Sequence, residues 1–178
     1  MNFVYISPQF PKTNWEFCDR LKKNGVTVLG IADVEYDSLD VKLKDALTEY
    51  YKVSSLENYD EVLKAVGFFT HKYGKIDWIE SNNEYWLVND SRLRTDFNVT
   101  TGIQFNKISG IKEKSKMKKS YKKAGIPTAD YSMVTTLAKA KKFIEKVGYP
   151  VIVKPDNGVG ASDTHKISNE EELKTFFK

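Results

Sequence analysis

Lys154 and the glycines after it are the residues of this chain whose types and spacing point most directly to chemistry. They lie in the run Pro150-Val151-Ile152-Val153-Lys154-Pro155-Asp156-Asn157-Gly158-Val159-Gly160-Ala161-Ser162. Val151 to Val153 form a β-branched run between prolines, the pattern of a short buried strand, with Lys154 at its exit. Glycines let backbone N–H groups approach an anion, and an adjacent lysine adds positive charge, so the combination suits phosphate. The order of residues excludes two familiar phosphate loops. In G-x-x-x-x-G-K-[ST] the lysine follows the glycines and a helix starts at once, whereas here the lysine comes first. The dinucleotide pattern G-x-G-x-x-G is absent as well. Downstream, Thr164-His165-Lys166-Ile167 precedes Ser168-Asn169-Glu170-Glu171, which reads as a capping box opening a helix. The glycine loop is therefore predicted to join strand to strand. The alternative is an ordinary hairpin with a surface lysine.

A second lysine stands out by its place on a helix. Lys107, Lys112, Lys114, Lys116, Lys118, Lys119, Lys122 and Lys123 crowd one predicted helix that ends at Ala124-Gly125-Ile126-Pro127. Such a run is usually a solvated face, or sometimes a nucleic-acid patch. Met117, Tyr121 and Ala124 share one face, and Lys114 lies on the same side one turn earlier. That aims Lys114 at the body of the protein, where a lysine needs an anion or carboxylate partner. Nucleic acid is disfavoured as a ligand, because Tyr121 is the only aromatic residue of the stretch and it carries no arginine and no readout motif. The remaining candidates are Glu80 and Glu84 in the cluster Glu80-Ser81-Asn82-Asn83-Glu84, where short carboxylates can position a substrate or a metal. Ser7 and Asp33 follow earlier strands in the same way. For each of these the alternative is a helix cap or turn former.

The elements that must position these residues follow a regular order. Phe3 to Ile6, Val26 to Ala32, Tyr50 to Val53 and Ile76 to Glu80 read as strands. Between and after them, Trp15 to Lys23, a segment from the Ser54–Glu57 capping box to Gly74, and Glu84 to Phe97 read as helices. The apolar run at Val26 to Ala32 is near-continuous, as in a parallel sheet covered on both faces. This rhythm predicts an α/β fold with a doubly wound, mainly parallel sheet, whose ligands gather outside the carboxyl ends of the strands. Beyond Pro127, Tyr131 to Val134 reads as a strand and Thr136 to Val147 as a helix closed by Gly148. The last helix shows Leu173, Phe176 and Phe177, and its phenylalanine pair is expected to need a cover. With no cap at Lys178, the chain is expected to continue in a longer parent. The predicted division is 1–108 as an α/β domain, 109–127 as a lysine-rich linking helix, and 128–178 as a partial α+β subdomain.

Composition narrows the class. The chain has 178 residues, 40% of them hydrophobic and 29% charged, enough for a core, with a formal net charge of +4. No apolar run approaches a membrane span, and the N-terminus lacks the basic region of a signal peptide. The single cysteine, Cys18, excludes an internal disulfide framework and fits a reducing cytoplasm, its simplest role being a small filler on a helix. Two histidines, His71 and His165, make a His-rich zinc site improbable.

The two lysine motifs in this order resemble those of the ATP-grasp superfamily. Glu113-Lys114-Ser115-Lys116-Met117-Lys118, leading to Ala124-Gly125-Ile126-Pro127, is similar to that family's Asp-Lys, Met-Lys, Ala-Gly-Val/Ile-Pro helix, with Glu113 where Asp is usual. The run from Pro150 to Ser162 resembles the family's lid strand and glycine-rich loop. The nearest branch is that of biotin carboxylase and the carbamoyl phosphate synthase large subunit. With Ala161-Ser162, however, the loop is closer to the Gly-x-Gly-Ser type of carboxylate–amine ligases. The resemblance implies a pre-ATP-grasp domain over 1–108 and the first part of the lid over 128–178. It implies ATP and Mg2+ as cofactors, with Lys114, Lys154, Gly158, Gly160, Ala161 and Ser162 around the phosphates. It further implies a small-molecule carboxylate, activated as an acyl phosphate, and a nucleophile co-substrate. The family's metal ligands and catalytic arginine lie after the lid, so neither catalytic nor metal-binding residues are assigned here. The chain is expected to be inactive without the missing C-terminal half. The alternative is a non-catalytic binding module completed by a partner chain.

Overall fold

The computed structural model describes residues 1–160 and 163–178. Ala161 and Ser162, expected in the backbone cradle, lie outside the described residues. The chain divides into two compact units, Met1–Ile108 and Ser109–Lys178.

The first unit is built on a four-stranded parallel sheet of order β3-β2-β1-β4, formed by β1 (Asn2–Ile6), β2 (Thr27–Ala32), β3 (Glu49–Lys52) and β4 (Trp78–Glu80). α1 (Asn14–Lys23), α2 (Val41–Ala46) and α3 (Tyr59–Tyr73) connect successive strands, and α4 (Leu87–Asp96) follows the last. Because side chains alternate across a strand, β1 serves two cores. Val4 and Ile6 pack with Val62, Val66 and Phe69 of α3, while Phe3 and Tyr5 pack with Cys18 of α1 and Leu43 and Ala46 of α2. Burial on both faces is why the strands read as apolar runs rather than as an alternating pattern. Each large side chain fully withdrawn from water in this way contributes about 1.5–3 kcal/mol. Cys18 is fully buried, and burial pushes its thiol up to about 12, as expected of a filler residue.

The sequence reading gave no element between Asp33 and Glu49, where the structure forms α2. Asp40 caps it, its carboxylate accepting from the Lys42 N–H at 2.8 Å. The start of α3 also differs from the expected Ser54–Glu57 capping box. The helix begins after Asn58, and Glu61 instead reaches back, accepting from the Ser54 N–H and hydroxyl, both at 2.6 Å. The carboxylate that satisfies Ser54 thus comes from inside the helix.

The second unit contains α5 (Ser109–Lys112), α6 (Lys114–Lys123), α7 (Leu137–Val147), β5 (Val151–Val153), β6 (His165–Ile167) and α8 (Glu170–Phe176). β5 and β6 pair antiparallel, Val151 opposite Ile167 and Val153 opposite His165, so the glycine loop does join strand to strand. Ala140, Ile144, Ile167 and Leu173 form its buried core. Thr136 caps α7 by accepting from the Lys139 N–H, as placed from sequence.

Four expectations fail in this unit. The single lysine helix is interrupted at Glu113, whose extended backbone (φ −88°, ψ 117°) separates α5 from α6. Tyr131 to Val134 form no strand, because no ladder partner reaches them and a strand without one leaves its backbone groups unpaired. The phenylalanine pair is not jointly exposed: Phe177 packs on the small core, and only Phe176 faces outward, its ring edge against His165. The box opening α8 sits one residue later than read, with Asn169 as cap and Glu172 as its reciprocal partner, accepting from the Ser168 N–H at 2.7 Å.

Candidate functional site

Within the second unit, the exit of β5 and the start of α6 meet. The Lys114 N–H donates to the Asp156 carbonyl at 3.0 Å. The Asp156 carboxylate accepts from the Ser115 N–H at 2.7 Å and from the Ser115 hydroxyl at 2.8 Å. This explains locally why α6 begins where it does: Glu113 provides no side-chain cap, and Asp156, distant in sequence, satisfies the first N–H groups instead. The Lys114 ammonium group, half-buried, donates to the Gly158 carbonyl at 3.0 Å. Lys114 is therefore turned inward, as the helical spacing indicated, and its partner is the glycine loop itself.

Lys154 lies exposed at the strand exit. Gly158 and Gly160 follow on the loop, and Gly160 has φ +64°, a left-handed conformation that L side chains rarely adopt. Lys114, Lys118, Lys154 and Asp156 line a cavity of about 770 Å³ whose other walls are largely apolar, among them Phe143, Ile144 and Val153. A concave, mostly apolar site of this size with a few convergent polar groups suits a small-molecule ligand. The basic groups at its edge suit an anionic portion of that ligand. Of the residues singled out from sequence, the structure places Lys114 and Lys154 on one cavity and Lys114 in contact with Gly158, while Gly160 follows two residues further along the loop. Asp156 and Ser115 were missed. A carboxylate two residues beyond Lys154 was visible, but its partner is set only by tertiary contact.

Glu80 and Glu84 belong to the first unit. Glu80 pairs with Arg94 at 2.7 Å and also accepts from the Ser81 N–H at 3.1 Å. Arg94 is buried, and it donates further to the Ile79 carbonyl at 2.8 Å and the Ile103 carbonyl at 3.1 Å, joining β4 to the turn at 102–104. Gly102 makes this possible: it has φ +77°, and a Cβ there would lie 2.9 Å from the Arg94 side chain. Glu84 is exposed. Asp33 accepts from the Leu56 N–H at 3.3 Å. Ser7 and Asn82, just past β1 and β4, adopt left-handed backbone conformations, with φ 57° and 52°. Sequence reasoning also missed Asp90, which is completely buried. One of its oxygens accepts from the Ser81 hydroxyl at 2.6 Å, and the other has no hydrogen-bond partner among the described residues. Burial, with the nearby Glu80 charge adding to it, pushes its carboxyl up to about 7 against the opposing effects of Ser81 and Arg94. Among the described residues no group of three or more His, Cys, Asp or Glu side chains is placed to hold a metal ion. No helix among them is long and apolar enough to cross a membrane.

Residues 113–178 match the protein family described as the carbamoyl-phosphate synthase L chain, ATP binding domain. The chain is 33% identical over 115 residues to an L-arginine-specific L-amino acid ligase of Bacillus subtilis, a match covering 63% of this chain and 28% of that protein. It is 23% identical to the carbamoyl phosphate synthase large chain of Sulfolobus acidocaldarius over 99% of this chain and 19% of that one. The structure is similar to a biotin carboxylase–β,γ-ATP complex from Campylobacter jejuni, with a TM-score of 0.76 at 22% identity, covering 97% of this chain and 40% of that chain. The chain resembles proteins of the ATP-grasp superfamily, with the family match confined to residues 113–178. It spans less than a third of the length of either curated relative.

Proposed function

We propose that this chain forms part of an ATP-grasp ligase and supplies one side of its ATP phosphate site. The observation that carries the reading is that Lys114 and Lys154 line one largely apolar cavity in the second unit, and that the Lys114 ammonium group reaches the carbonyl of Gly158. On this reading the segment 128–178 is lid, 109–127 links it, and 1–108 is the pre-ATP-grasp domain. The family match over 113–178 supports the first part of that division.

In the reaction proposed for the whole protein, a carboxylate oxygen attacks the γ-phosphorus of ATP and ADP leaves. An amine, ammonia or similar nucleophile then attacks the acyl carbon, and phosphate leaves. Phosphoryl transfer gathers negative charge on the transferred group and its bridging oxygen, and fixed cations stabilise that charge. Lys114 and Lys154 would meet the phosphate oxygens, with N–H groups of the loop at Gly158 and Gly160 beside them; Ala161 and Ser162 complete the proposed cradle. Mg2+, when bound, neutralises charge between the β- and γ-phosphates. Its ligands are proposed to lie elsewhere in the whole protein, as the family resemblance implies. An amine as the nucleophile is supported by the similarity to an L-amino acid ligase. Glu80 and Glu84 remain proposed substrate contacts of the first unit. Of the two, Glu80 already carries an ion pair with Arg94.

The test is ATP consumption by the whole protein. Lys114→Ala and Lys154→Ala should each lower carboxylate-dependent ADP release at least tenfold, the scale of losing a bond to a charged group, about 1.5–3 kcal/mol. Unchanged kinetics for either variant would remove that lysine from the site.

A further inference from the structure

Asp156 makes three hydrogen bonds to the start of α6 in the proposed site. Its carbonyl accepts from the Lys114 N–H, and its two carboxylate oxygens accept separately from the N–H and the hydroxyl of Ser115. These bonds hold the first turn of α6 against the exit of β5, two residues before the carbonyl that receives the Lys114 ammonium group. α6 has no side-chain cap of its own. A carboxylate at a helix N-terminus is favoured by both the unpaired N–H groups and the helix dipole. The Ser115 carbonyl, on the same turn, also accepts from the Tyr131 hydroxyl at 3.2 Å.

We propose that Asp156 is a positioning residue for nucleotide binding: it pins α6 to the strand exit and so fixes where the Lys114 ammonium group can reach. The proposal rests on the nucleotide reading above. A peptide carbonyl is a neutral acceptor, and a phosphate oxygen is a charged one that forms a stronger bond. Lys114 therefore exchanges Gly158 for phosphate when nucleotide enters. With its backbone already held by Asp156, little ordering cost attends the exchange. Without Asp156 the first turn of α6 frays, and Lys114 must be ordered at the moment of binding. Asp156 acts through Lys114 and makes no contact with the nucleotide in this scheme.

The test uses the whole protein with Mg-ATP as the titrant, comparing wild type with Lys114→Ala, Asp156→Ala, Asp156→Asn and the Lys114→Ala/Asp156→Ala double variant. Amide hydrogen exchange at Lys114 and Ser115 is read without nucleotide. Asp156→Ala should speed that exchange and weaken ATP binding about tenfold, in line with the loss of charge-assisted bonds. Asp156→Asn keeps an accepting oxygen and should retain most of the affinity, which also covers the case in which the alanine variant fails to fold. The double variant should bind no more weakly than Lys114→Ala alone, because Asp156 has nothing left to position. Wild-type affinity in Asp156→Ala, unchanged amide exchange, or a loss that adds fully to that of Lys114→Ala overturns the proposal and leaves the nucleotide reading standing. Absence of ATP binding by wild type, or full affinity in Lys114→Ala, overturns the nucleotide reading itself.

Discussion

The two units use their charged residues in different ways. In the first, charge is drawn into the fold: Arg94 is buried and joins Glu80, the Ile79 carbonyl and the Ile103 carbonyl around a glycine that leaves it room. In the second, Lys114 is half-buried with a neutral carbonyl as its partner, and Lys154 is exposed. The cores differ in the same sense. The first unit packs both faces of its sheet, whereas the second buries four residues in a single core cluster. A cation surrounded by committed partners stabilises a fold. One whose partner a phosphate can displace is suited to binding.

Removing the charge that binds the first unit together should have the largest effect. Arg94→Ala leaves Glu80 without its cation and the Ile79 and Ile103 carbonyls, the first of them buried, without this donor, a loss of about 3–5 kcal/mol. Urea denaturation followed by tryptophan fluorescence isolates this effect, because Trp15, Trp78 and Trp86 all lie in the first unit. A midpoint unchanged from wild type would place Arg94 outside the stabilising network.

Asp90 gives a smaller effect with a distinctive pH dependence. Its carboxyl is raised from 3.8 to about 7, so the folded state holds a proton that the unfolded state has released. Its stabilising contribution is complete below about pH 4 and is lost as the pH rises towards 7, with a slope of at most about 1.4 kcal/mol per pH unit. Asp90→Asn should remove that slope between pH 5 and 7, measured by denaturation of the first unit across the range. An identical slope in the variant would show that Asp90 is ionised in the fold. The smallest effect is expected on the surface of the second unit. Lys141 and Glu170 pair in the open at 2.7 Å, and Lys141→Ala should leave the thermal midpoint where it is.

The same contrast explains what could be read from the sequence. The parallel sheet was legible because both of its faces are buried, so Phe3 to Ile6 and Val26 to Ala32 appear as near-continuous apolar runs. α2 was not, because it is a six-residue helix whose start is marked only by Asp40. Tyr131 to Val134 has the residue types of a strand, but strand formation is settled by a pairing partner that local sequence does not specify. In the site, Lys114 was found because helical spacing fixes the direction of a side chain. The break at Glu113 and the grip of Asp156 on Ser115 come from a contact across 41 residues of sequence, which no local pattern encodes. Glu80 was legible as a carboxylate at a strand end, but its pairing with Arg94, 14 residues on, was not.

The most direct test is to titrate the whole protein, isotopically labelled, with Mg-ATP and follow the amide resonances of this chain by NMR. The account predicts saturable shifts at Lys114, Lys154, Gly158 and Gly160, with the resonances around Arg94 and Asp90 left in place. Shifts confined to the first unit, or none at millimolar ATP, would contradict it.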